Sequence, residues 1–230
     1  MENRFAVLTG NQLKLIAAVA MLLDHAGILL FPRVAALRVL GRLAYPIFAY
    51  MIAEGCHHTK SRIRYFLQMA GLAAICQLVN YIASGSVYQC ILVTFSLSIL
   101  TIYAIDIFRK NKGILSAILA LIVFGGVIYA CYVLPYRLPG MDFDIDYGFL
   151  GIMLPVVIYL VPDKQGKIFA MAAVLVAMSG RWGAVQWYAL AAIPLLMLYN
   201  EKRGKARLKY LFYIFYPAHL VAIYFQGMLL

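Results

Sequence analysis

A succession of nine apolar runs, separated by short polar gaps, constrains the fold of this chain more than any other feature. A helix needs roughly 20 apolar residues to cross the hydrocarbon core of a bilayer. Only 13% of the 230 residues are charged, whereas soluble domains carry about 25%. The pattern predicts an all-α, polytopic integral membrane helix bundle with about nine transmembrane helices. The runs span about 11–31, 43–57, 63–83, 91–108, 113–134, 147–161, 168–179, 184–199 and 210–228.

The distribution of Lys and Arg predicts the orientation of the bundle, because cytoplasmic loops hold an excess of these residues. Counted by alternate gaps, 15 of them lie on the side of the N-terminus and 5 on the opposite side. We therefore expect a multi-pass protein of the cell (plasma or inner) membrane, with its N-terminus in the cytoplasm and its C-terminus outside. The runs 147–161 and 168–179 are short for a full crossing, so tilted or re-entrant helices are alternatives there.

No internal repeat, low-complexity tract or long linker divides the sequence, so a single membrane domain over residues 1–230 is the simplest interpretation. The net charge of +11 comes from basic residues in short gaps, which points to membrane lipids as partners and not to nucleic acid. The four cysteines show no C-x-x-C spacing, so neither a metal site nor a disulfide framework is expected. Apolar residues at helical spacing beside Arg33 and Arg38 predict a short interfacial helix between the first two runs.

The first run carries three ionisable residues and is expected to remain as a helix, because no cleavage site of a signal peptide ends it. Lys14 and His25 are eleven residues apart, so they share one helix face about 16 Å apart along the axis, with Leu22 on the same stripe. Asp24 projects roughly 100° away from His25 and should pair elsewhere, with Arg42 as the candidate. Alternatively, Lys14 snorkels, Asp24 forms a stabilising ion pair and His25 makes a packing hydrogen bond.

Ionisable residues in the later runs are further candidates, because charge at membrane depth is costly and commonly functional. Glu54 could shape a cavity mouth or pair with a lysine. Asp146 is expected at the edge of a site, and Arg181 as an interfacial anchor or an anion contact. An imidazole of His219 facing the first helix would suit proton handling, whereas a hydrogen bond to a neighbouring carbonyl would be structural.

Four segments of the sequence resemble the TraX family. They are TGNQLKLIAAVAMLLDH at residues 9–25, GRLAYPIFAYMIAEG at 41–55, DYG at 146–148 and YLFYIFYPAHL at 210–220. The similarity covers essentially the whole chain. TraX proteins are associated with N-terminal acetylation of conjugative pilin, and the family resembles the wider transmembrane acyltransferases. Those enzymes are marked by an Arg or Lys in the first helix, ten residues and then a His, a spacing that Lys14 and His25 match.

The resemblance implies an acyltransferase that moves an acyl group, expected to be acetyl, from cytoplasmic acetyl-CoA or another acyl-CoA. The acceptor would be an amine or hydroxyl at the outer face, such as that of pilin or another secreted or surface protein or glycan. A histidine suits the task of deprotonating such an acceptor near neutral pH. The residues expected to act are His25, Asp24 and His219 in catalysis, Lys14, Arg42 and Glu54 in donor binding, and Asp146 and Arg181 in acceptor binding.

Two other classes of function are compatible with the same residues. Buried carboxylates and imidazoles also build proton-coupled transporters, although no inverted repeat supports that class here. A non-catalytic membrane assembly factor would use the buried charges for structure alone. The absence of H-E-x-x-H and G-x-S-x-G motifs argues against an intramembrane protease.

Overall fold

The computed structural model describes residues 6–205, 214–219 and 221–223. In these ranges every regular element is a helix, which confirms the all-α prediction, and two isolated β-bridges join Leu8 to Tyr199 and Gln89 to Ile145. The chain forms two compact units. The first comprises Met1–Met51 with Val161–Leu230, and the second comprises Ile52–Leu160.

Ten α-helices follow one another within residues 6–205. They are α1 (Gly10–Leu29), α2 (Ala35–Gly41), α3 (Ala44–His58), α4 (Arg62–Ser84), α5 (Ile91–Asn111), α6 (Ile114–Ile128), α7 (Leu134–Arg137), α8 (Gly148–Leu160), α9 (Lys164–Trp182) and α10 (Ala192–Met197). A π-helical segment, Tyr129–Val133, joins α6 to α7, and a 3₁₀ helix, Ala184–Ala191, precedes α10. Residues 214–219 and 221–223 are also helical and are called the C-terminal helical segment below.

Five helical stretches in the described part of the chain are long and apolar enough to cross a membrane. They are Gly10–Leu29, Ala35–His58, Arg62–Ser84, Ile91–Asn111 and Ile114–Arg137. Gly148–Leu160, Ala184–Met197 and Ile214–Ile223 are shorter apolar helices. The protein therefore has the helices of a membrane protein, while nine crossings and their orientation remain predictions. The predicted run 210–228 lies partly outside the described residues.

The helix starting at Gly10 begins where the sequence provides a capping box. The Thr9 side chain accepts a hydrogen bond from the Gln12 backbone, and the Gln12 side chain accepts one from the Thr9 backbone. These reciprocal bonds satisfy backbone donors that a helix leaves unpaired in its first turn. Residues 198–203 supply further partners, since the N–H groups of Gly10 and Asn11 donate to the carbonyls of Lys202 and Arg203 at 2.8 and 3.0 Å.

The predicted interfacial segment contains a helix, α2, that packs closely on α1. A Cβ atom added to Gly41 would collide with Asp24, and one added to Gly27 would lie 2.9 Å from the Leu37 side chain. Only glycine permits so close an approach of two helices. The two glycines therefore bring the arginines of α2 and of the turn after it towards the end of α1.

The second unit is built around α5, whose hydroxyl side chains are largely buried. The Ser98 hydroxyl donates to the carbonyls of Thr94 and, at 2.8 Å, of Ile152 in α8. Val127, Ile145 and Ile152 form a hydrophobic cluster beside it. Such hydroxyl-to-carbonyl bonds are a common way of joining helices in an apolar environment.

Within each unit, the ends of different helices are joined by polar contacts. In the first unit, Lys164 donates to the Tyr199 carbonyl and Arg42 donates to Gln186. In the second unit, Arg62 pairs with Asp106 at 2.7 Å, and Ser86 donates to Asp142. The alternation of the gaps and the side that faces the cytoplasm remain predictions.

Candidate functional site

Two histidines from distant parts of the sequence meet in the first unit. Nε2 of His219, in the C-terminal helical segment, lies 3.3 Å from Nδ1 of His25 in α1. The ring centroids are 5.0 Å apart. His219 is buried and His25 is half-buried. The structure therefore brings His219 to the first helix.

The backbone carbonyls beside the two rings assign the tautomer of each neutral imidazole. Nδ1 of His25 lies 2.9 Å from the Met21 carbonyl, and Nδ1 of His219 lies 3.0 Å from the Phe215 carbonyl. A carbonyl only accepts, so Nδ1 carries the hydrogen in each ring and Nε2 carries a lone pair in the neutral form. The Nδ1–H of His25 is then shared between Met21 and Nε2 of His219. Hydrogen bonds therefore run from His25 to His219 and from His219 to the Phe215 carbonyl. Nε2 of His25 is the ring nitrogen at the start of this chain.

Aromatic side chains hold the His219 ring in place. Phe215 stacks on it with ring centroids 5.0 Å apart and planes inclined by 9°. Tyr216 meets it edge-on, with centroids 5.3 Å apart. A ring that is packed on two sides and hydrogen-bonded through both nitrogens has little rotational freedom. His219 therefore presents its Nε2 to His25 in a fixed direction.

Asp24, next to His25, forms an ion pair with two arginines. One guanidinium nitrogen of Arg42, Nη2, donates to both Asp24 oxygens at 2.7 and 2.6 Å. Nη1 of Arg38 lies 2.8 Å from Oδ1 of the same carboxylate. The predicted partner Arg42 is confirmed, and Arg38 is an additional one. Both guanidinium groups therefore bind the carboxylate of Asp24.

Gln186 extends the Asp24 cluster. Its side-chain carbonyl accepts a hydrogen bond from Nη1 of Arg42 at 3.3 Å, and the residue is only 2% exposed. Gln186 lies in the 3₁₀ helix that follows Gly183, whose φ of +87° makes a turn that favours glycine. The sequence analysis missed Gln186, although an amide inside the apolar run 184–199 was an available signal.

Lys14 lies near the opposite end of α1 from His25. On the helix face that Lys14 and His25 are expected to share, Asn11 and Ala18 are buried, but Leu22 is 38% exposed. A shared internal cavity between Lys14 and His25 therefore remains a prediction.

A further group of aromatic and basic side chains lies in the first unit, beside residues 198–203, which bind the start of α1. Tyr199 meets Tyr50 edge-on, with ring centroids 6.0 Å apart. The ammonium of the buried Lys167 lies 6.0 Å from the Tyr50 ring centroid. Lys164 donates to the Met197 and Tyr199 carbonyls. The first unit thus carries several cations apart from the arginine cluster at Asp24.

Two predicted site residues, Glu54 and Asp146, belong to the second unit. Glu54 is buried, and its carboxylate lies 3.9 Å from Nδ1 of His58. Asp146 accepts a hydrogen bond from the Tyr88 hydroxyl at 3.2 Å, and its carbonyl accepts one from Thr94. Their predicted roles in donor and acceptor binding remain predictions.

Arg181, in the first unit, lies over the ring of its neighbour Trp182, with the guanidinium carbon 5.7 Å from the ring centroid. Both side chains are exposed. A cation stacked on an exposed tryptophan is the arrangement of an interfacial anchor. The contact therefore fits the anchor interpretation of Arg181, and its proposed contact with an acceptor stays a prediction.

Asp106 is an ionisable residue of the second unit that the sequence analysis did not single out. Its carboxylate pairs with Arg62 at 2.7 Å and accepts a hydrogen bond from the Tyr159 hydroxyl at 2.6 Å. His57 stacks on Tyr159, with ring centroids 4.1 Å apart. These contacts join α3, α4, α5 and α8. An acidic residue at the end of the run 91–108 was the available signal.

Within residues 6–205, 214–219 and 221–223, no three His, Cys, Asp or Glu side chains are grouped so that they could hold a metal ion. The three aspartates at positions 142, 144 and 146 have separate hydrogen-bond partners. Asp142 accepts from Ser86 and Val87, Asp144 accepts from the Ile145 backbone, and Asp146 accepts from Tyr88.

Comparison with known proteins finds a similar protein and a matching family model. The chain is 24% identical to a protein of Dichelobacter nodosus described as "Probable fimbrial assembly protein FimC, serogroup H1", over 92% of this chain and 93% of that protein. No solved structure matches the chain significantly. The family model described as TraX protein matches residues 9–226. A match over nearly the whole length is what the segments around His25 and His219 led us to expect, and the chain belongs to the TraX family.

Proposed function

We propose that this chain is a membrane-embedded acyltransferase that moves an acyl group, most simply acetyl, from acyl-CoA to an amine or hydroxyl acceptor. The observation that carries the proposal is the hydrogen-bonded pair of His25 and His219. An imidazole whose tautomer is fixed by a second group is a recurrent arrangement in general-base catalysis. The pair is formed by the two segments that carry most of the resemblance to the family.

His25 acts through Nε2, the ring nitrogen at the start of the chain of hydrogen bonds. The acceptor nitrogen or oxygen attacks the thioester carbonyl, and its proton passes to Nε2 of His25. The C–S bond then breaks, and the departing thiolate of CoA takes the proton from His25. The acyl group ends on the acceptor and His25 returns to its neutral form, so the step balances without a metal or an oxidant.

His219 stabilises the charged form of His25 that this step creates. When Nε2 of His25 takes a proton, its Nδ1–H becomes a stronger donor towards Met21 and towards Nε2 of His219. The second imidazole therefore acts as a positioning residue, comparable in role to the carboxylate that orients the histidine of a catalytic triad. Asp24 is engaged by Arg38 and Arg42 and holds the adjacent turn of α1 in place.

Lys14 and Arg203 would receive the anionic part of the donor. Their positive charges would attract the phosphates of CoA. The rise of α1 separates Lys14 from His25 by about 16 Å. An extended pantetheine arm would bridge that distance from the phosphates to the thioester. With the predicted orientation, the donor enters from the cytoplasm and the acceptor from outside the cell membrane.

The relative described as a probable fimbrial assembly protein suggests the kind of acceptor. We propose a surface or secreted subunit, modified at an amine such as its N-terminus, with glycan hydroxyls as the alternative. Attack by an amine requires its neutral form, and a base at the outer end of α1 would supply it.

The test is acyl-donor turnover by the purified full-length protein in detergent. With radiolabelled acetyl-CoA, release of free CoA and transfer of label are measured for wild type, His25→Gln and His58→Gln. His58 has a side chain that is 71% exposed and belongs to the other unit, so it provides the matched control. We expect turnover to fall by about 10²–10⁴-fold in His25→Gln only. Equal turnover in all three proteins would refute the proposal.

A non-catalytic assembly factor is the second candidate, favoured by the description of the relative from Dichelobacter nodosus. In that case the arginine cluster at Asp24 and the histidine pair would only hold helices together. Wild type would then show background release of CoA, while His25→Gln would impair assembly of surface fibres through loss of folded protein. Matching the membrane abundance of the variants separates this outcome from loss of catalysis.

A further inference from the structure

The first unit carries exposed aromatic side chains in two segments near the C-terminal end of α1. One segment is the connection between α1 and α2, where Phe31 is 51% exposed. The other segment ends α9 and begins the 3₁₀ helix, where Trp182, Trp187 and Tyr188 are 41%, 47% and 50% exposed. None of these four aromatic side chains takes part in the acyl-transfer scheme.

Contacts through α2 bring the two segments to the same end of α1. The helix α2 packs against both α1 and the 3₁₀ helix. Arg42, directly after α2, donates to Gln186 of the 3₁₀ helix at 3.3 Å and also binds Asp24 of α1. The connection after α1 and residues 181–188 therefore belong to one surface of the first unit.

The 3₁₀ helix has one buried face and two exposed faces. Gln186 and Ala189 are buried, whereas Val185, Trp187 and Tyr188 are exposed. A 3₁₀ helix has three residues per turn, so residues three apart share a face. One face thus packs on the protein, and the other two present the rings of Trp187 and Tyr188 to the surroundings.

The exposed charges of these two segments are positive. Arg33 and Arg181 are exposed, and the guanidinium of Arg181 lies over the ring of Trp182. Neither residues 28–42 nor residues 180–188 include an aspartate or a glutamate. The surface therefore complements a layer of negative charge such as the phosphates of lipid headgroups.

The aromatic residues are of the types that lie at the boundary between lipid and water. Trp and Tyr combine an apolar ring with a polar N–H or O–H group and are enriched at both interfaces of membrane proteins. The chain has two tryptophans, and both belong to this surface. The adjacent helix α1 is long and apolar enough to cross a membrane, which puts a surface at its end near that boundary.

We propose that the two segments form one lipid-binding surface, which places its rings among the headgroups of the bilayer and binds anionic phospholipids through its two arginines. Its residues are Phe31, Arg33, Arg181, Trp182, Trp187 and Tyr188. The surface does not depend on acyl transfer. A second copy of the chain is a poorer partner, because a symmetric contact would bring arginines of like charge together. Since Arg42 links the surface to Asp24, lipid binding also sets the depth of the turn of α1 that carries His25.

The experiment uses the two native tryptophans as probes, because no other residue of the chain has an indole ring. Full-length protein is reconstituted in vesicles of phosphatidylcholine and phosphatidylglycerol. The acyl chains carry bromine, which quenches indole fluorescence at short range, either close to the headgroup or close to the terminal methyl. Trp182→Phe and Trp187→Phe leave one probe each, and iodide in the buffer reports contact with water.

Bromine close to the headgroup should quench each probe more strongly than bromine close to the methyl end. With brominated phosphatidylglycerol in unlabelled phosphatidylcholine, Arg33→Gln and Arg181→Gln should each lower the relative affinity for the anionic lipid by about fivefold, the effect of removing one arginine from an anionic membrane surface. Arg33→Lys should retain this affinity. The control is Lys205→Gln, which removes an exposed cation just after the residues that bind the start of α1 and should leave the quenching unchanged.

Three quenching results would overturn the proposal. Stronger quenching by the deep bromine would place the tryptophans in the hydrocarbon. Quenching by iodide without quenching by bromine would place them in water, and protection from both reagents would mean that protein covers them. Equal affinity for phosphatidylglycerol in Arg33→Gln, Arg181→Gln and Lys205→Gln would overturn the role of the arginines. None of these measurements uses acetyl-CoA turnover, so the proposed acyl transfer is tested separately.

Discussion

His25 and His219 are 194 positions apart in the sequence, yet Nδ1 of the first lies 3.3 Å from Nε2 of the second. Each ring also bonds the carbonyl four residues before it in its own helix. The two helices therefore fix both tautomers without any carboxylate. A base built in this way suits an apolar environment, where a charged orienting group is costly.

The role of His219 is testable with two variants that differ in one property. In His219→Gln the amide can still accept the Nδ1–H of His25, whereas His219→Leu offers no acceptor. We expect His219→Leu to lower turnover of acetyl-CoA by about tenfold, the effect of one hydrogen bond, and His219→Gln to retain more of it. Steady-state release of CoA at saturating donor measures the difference. Identical losses in both variants, at matched abundance, would indicate a packing role only.

The sequence predicted the parts of the site that depend on helical spacing and on chemistry at membrane depth. Asp24 was expected to turn away from His25 and to pair with Arg42, and the structure confirms that pair. For His219 two interpretations stood open, and the structure shows both the contact with His25 and the bond to a neighbouring carbonyl. The expectation for Asp24 rests on one helix alone, because the angular offset of neighbouring residues in a helix is fixed.

The missed residues depend on contacts between elements. Whether Arg38 reaches Asp24 is decided by the close approach of α2 at Gly41, which spacing alone does not reveal. Gln186 and Asp106 lie in apolar runs, and their roles depend on contacts with Arg42 and Arg62. Composition does not predict the number of membrane crossings either. The helix Gly148–Leu160 has 13 residues, a length compatible with a tilted crossing or with a buried helix.

The loop contact at Asp142 should respond to acid. Hydrogen bonds from the Ser86 hydroxyl and then from the Val87 N–H hold the pKa of Asp142 below its ordinary value of 3.8. The folded form therefore binds this proton less readily than the unfolded form, so the stabilisation is complete above pH 3.8 and is lost as the pH falls through the lower folded pKa. The protection of the Val87 amide against hydrogen exchange should decrease over that window.

Asp142→Asn provides the comparison for this pH effect, because the amide has no carboxyl proton to bind. Its Val87 protection should be lower than that of wild type near neutral pH and should change little on acidification. Ser86→Ala should raise the pKa of Asp142 towards the ordinary value, so that loss of protection begins at a higher pH. An unchanged midpoint in Ser86→Ala would contradict the assignment of the Ser86 hydroxyl as the main cause.

The orientation predicted from the charge count can be tested independently of function. Reporter domains that are active only in the cytoplasm or only outside are fused after Leu230 and inserted near Lys60. We expect the insertion near Lys60 to be cytoplasmic and the fusion at Leu230 to be external, because nine crossings reverse the side of the two termini. A cytoplasmic signal at Leu230 would mean an even number of crossings. The candidate entry sides for donor and acceptor would then need revision.

The packing of α2 on α1 should be sensitive to a single methyl group at Gly41. In Gly41→Ala the new Cβ would collide with the Cβ and Oδ1 of Asp24, so α2 must shift and the arginine pairs with Asp24 must lengthen. We expect a loss of about 1–3 kcal/mol of unfolding free energy, as for other overpacked sites. The matched control is Gly71→Ala in α4, where an added Cβ meets nothing within 4 Å, and where alanine should leave stability unchanged or raise it by up to about 1 kcal/mol. Denaturant unfolding of both variants in the same detergent measures their free energies of unfolding. Equal stability of the two variants would show that α1 and α2 pack less closely than the approach of Gly41 to Asp24 indicates.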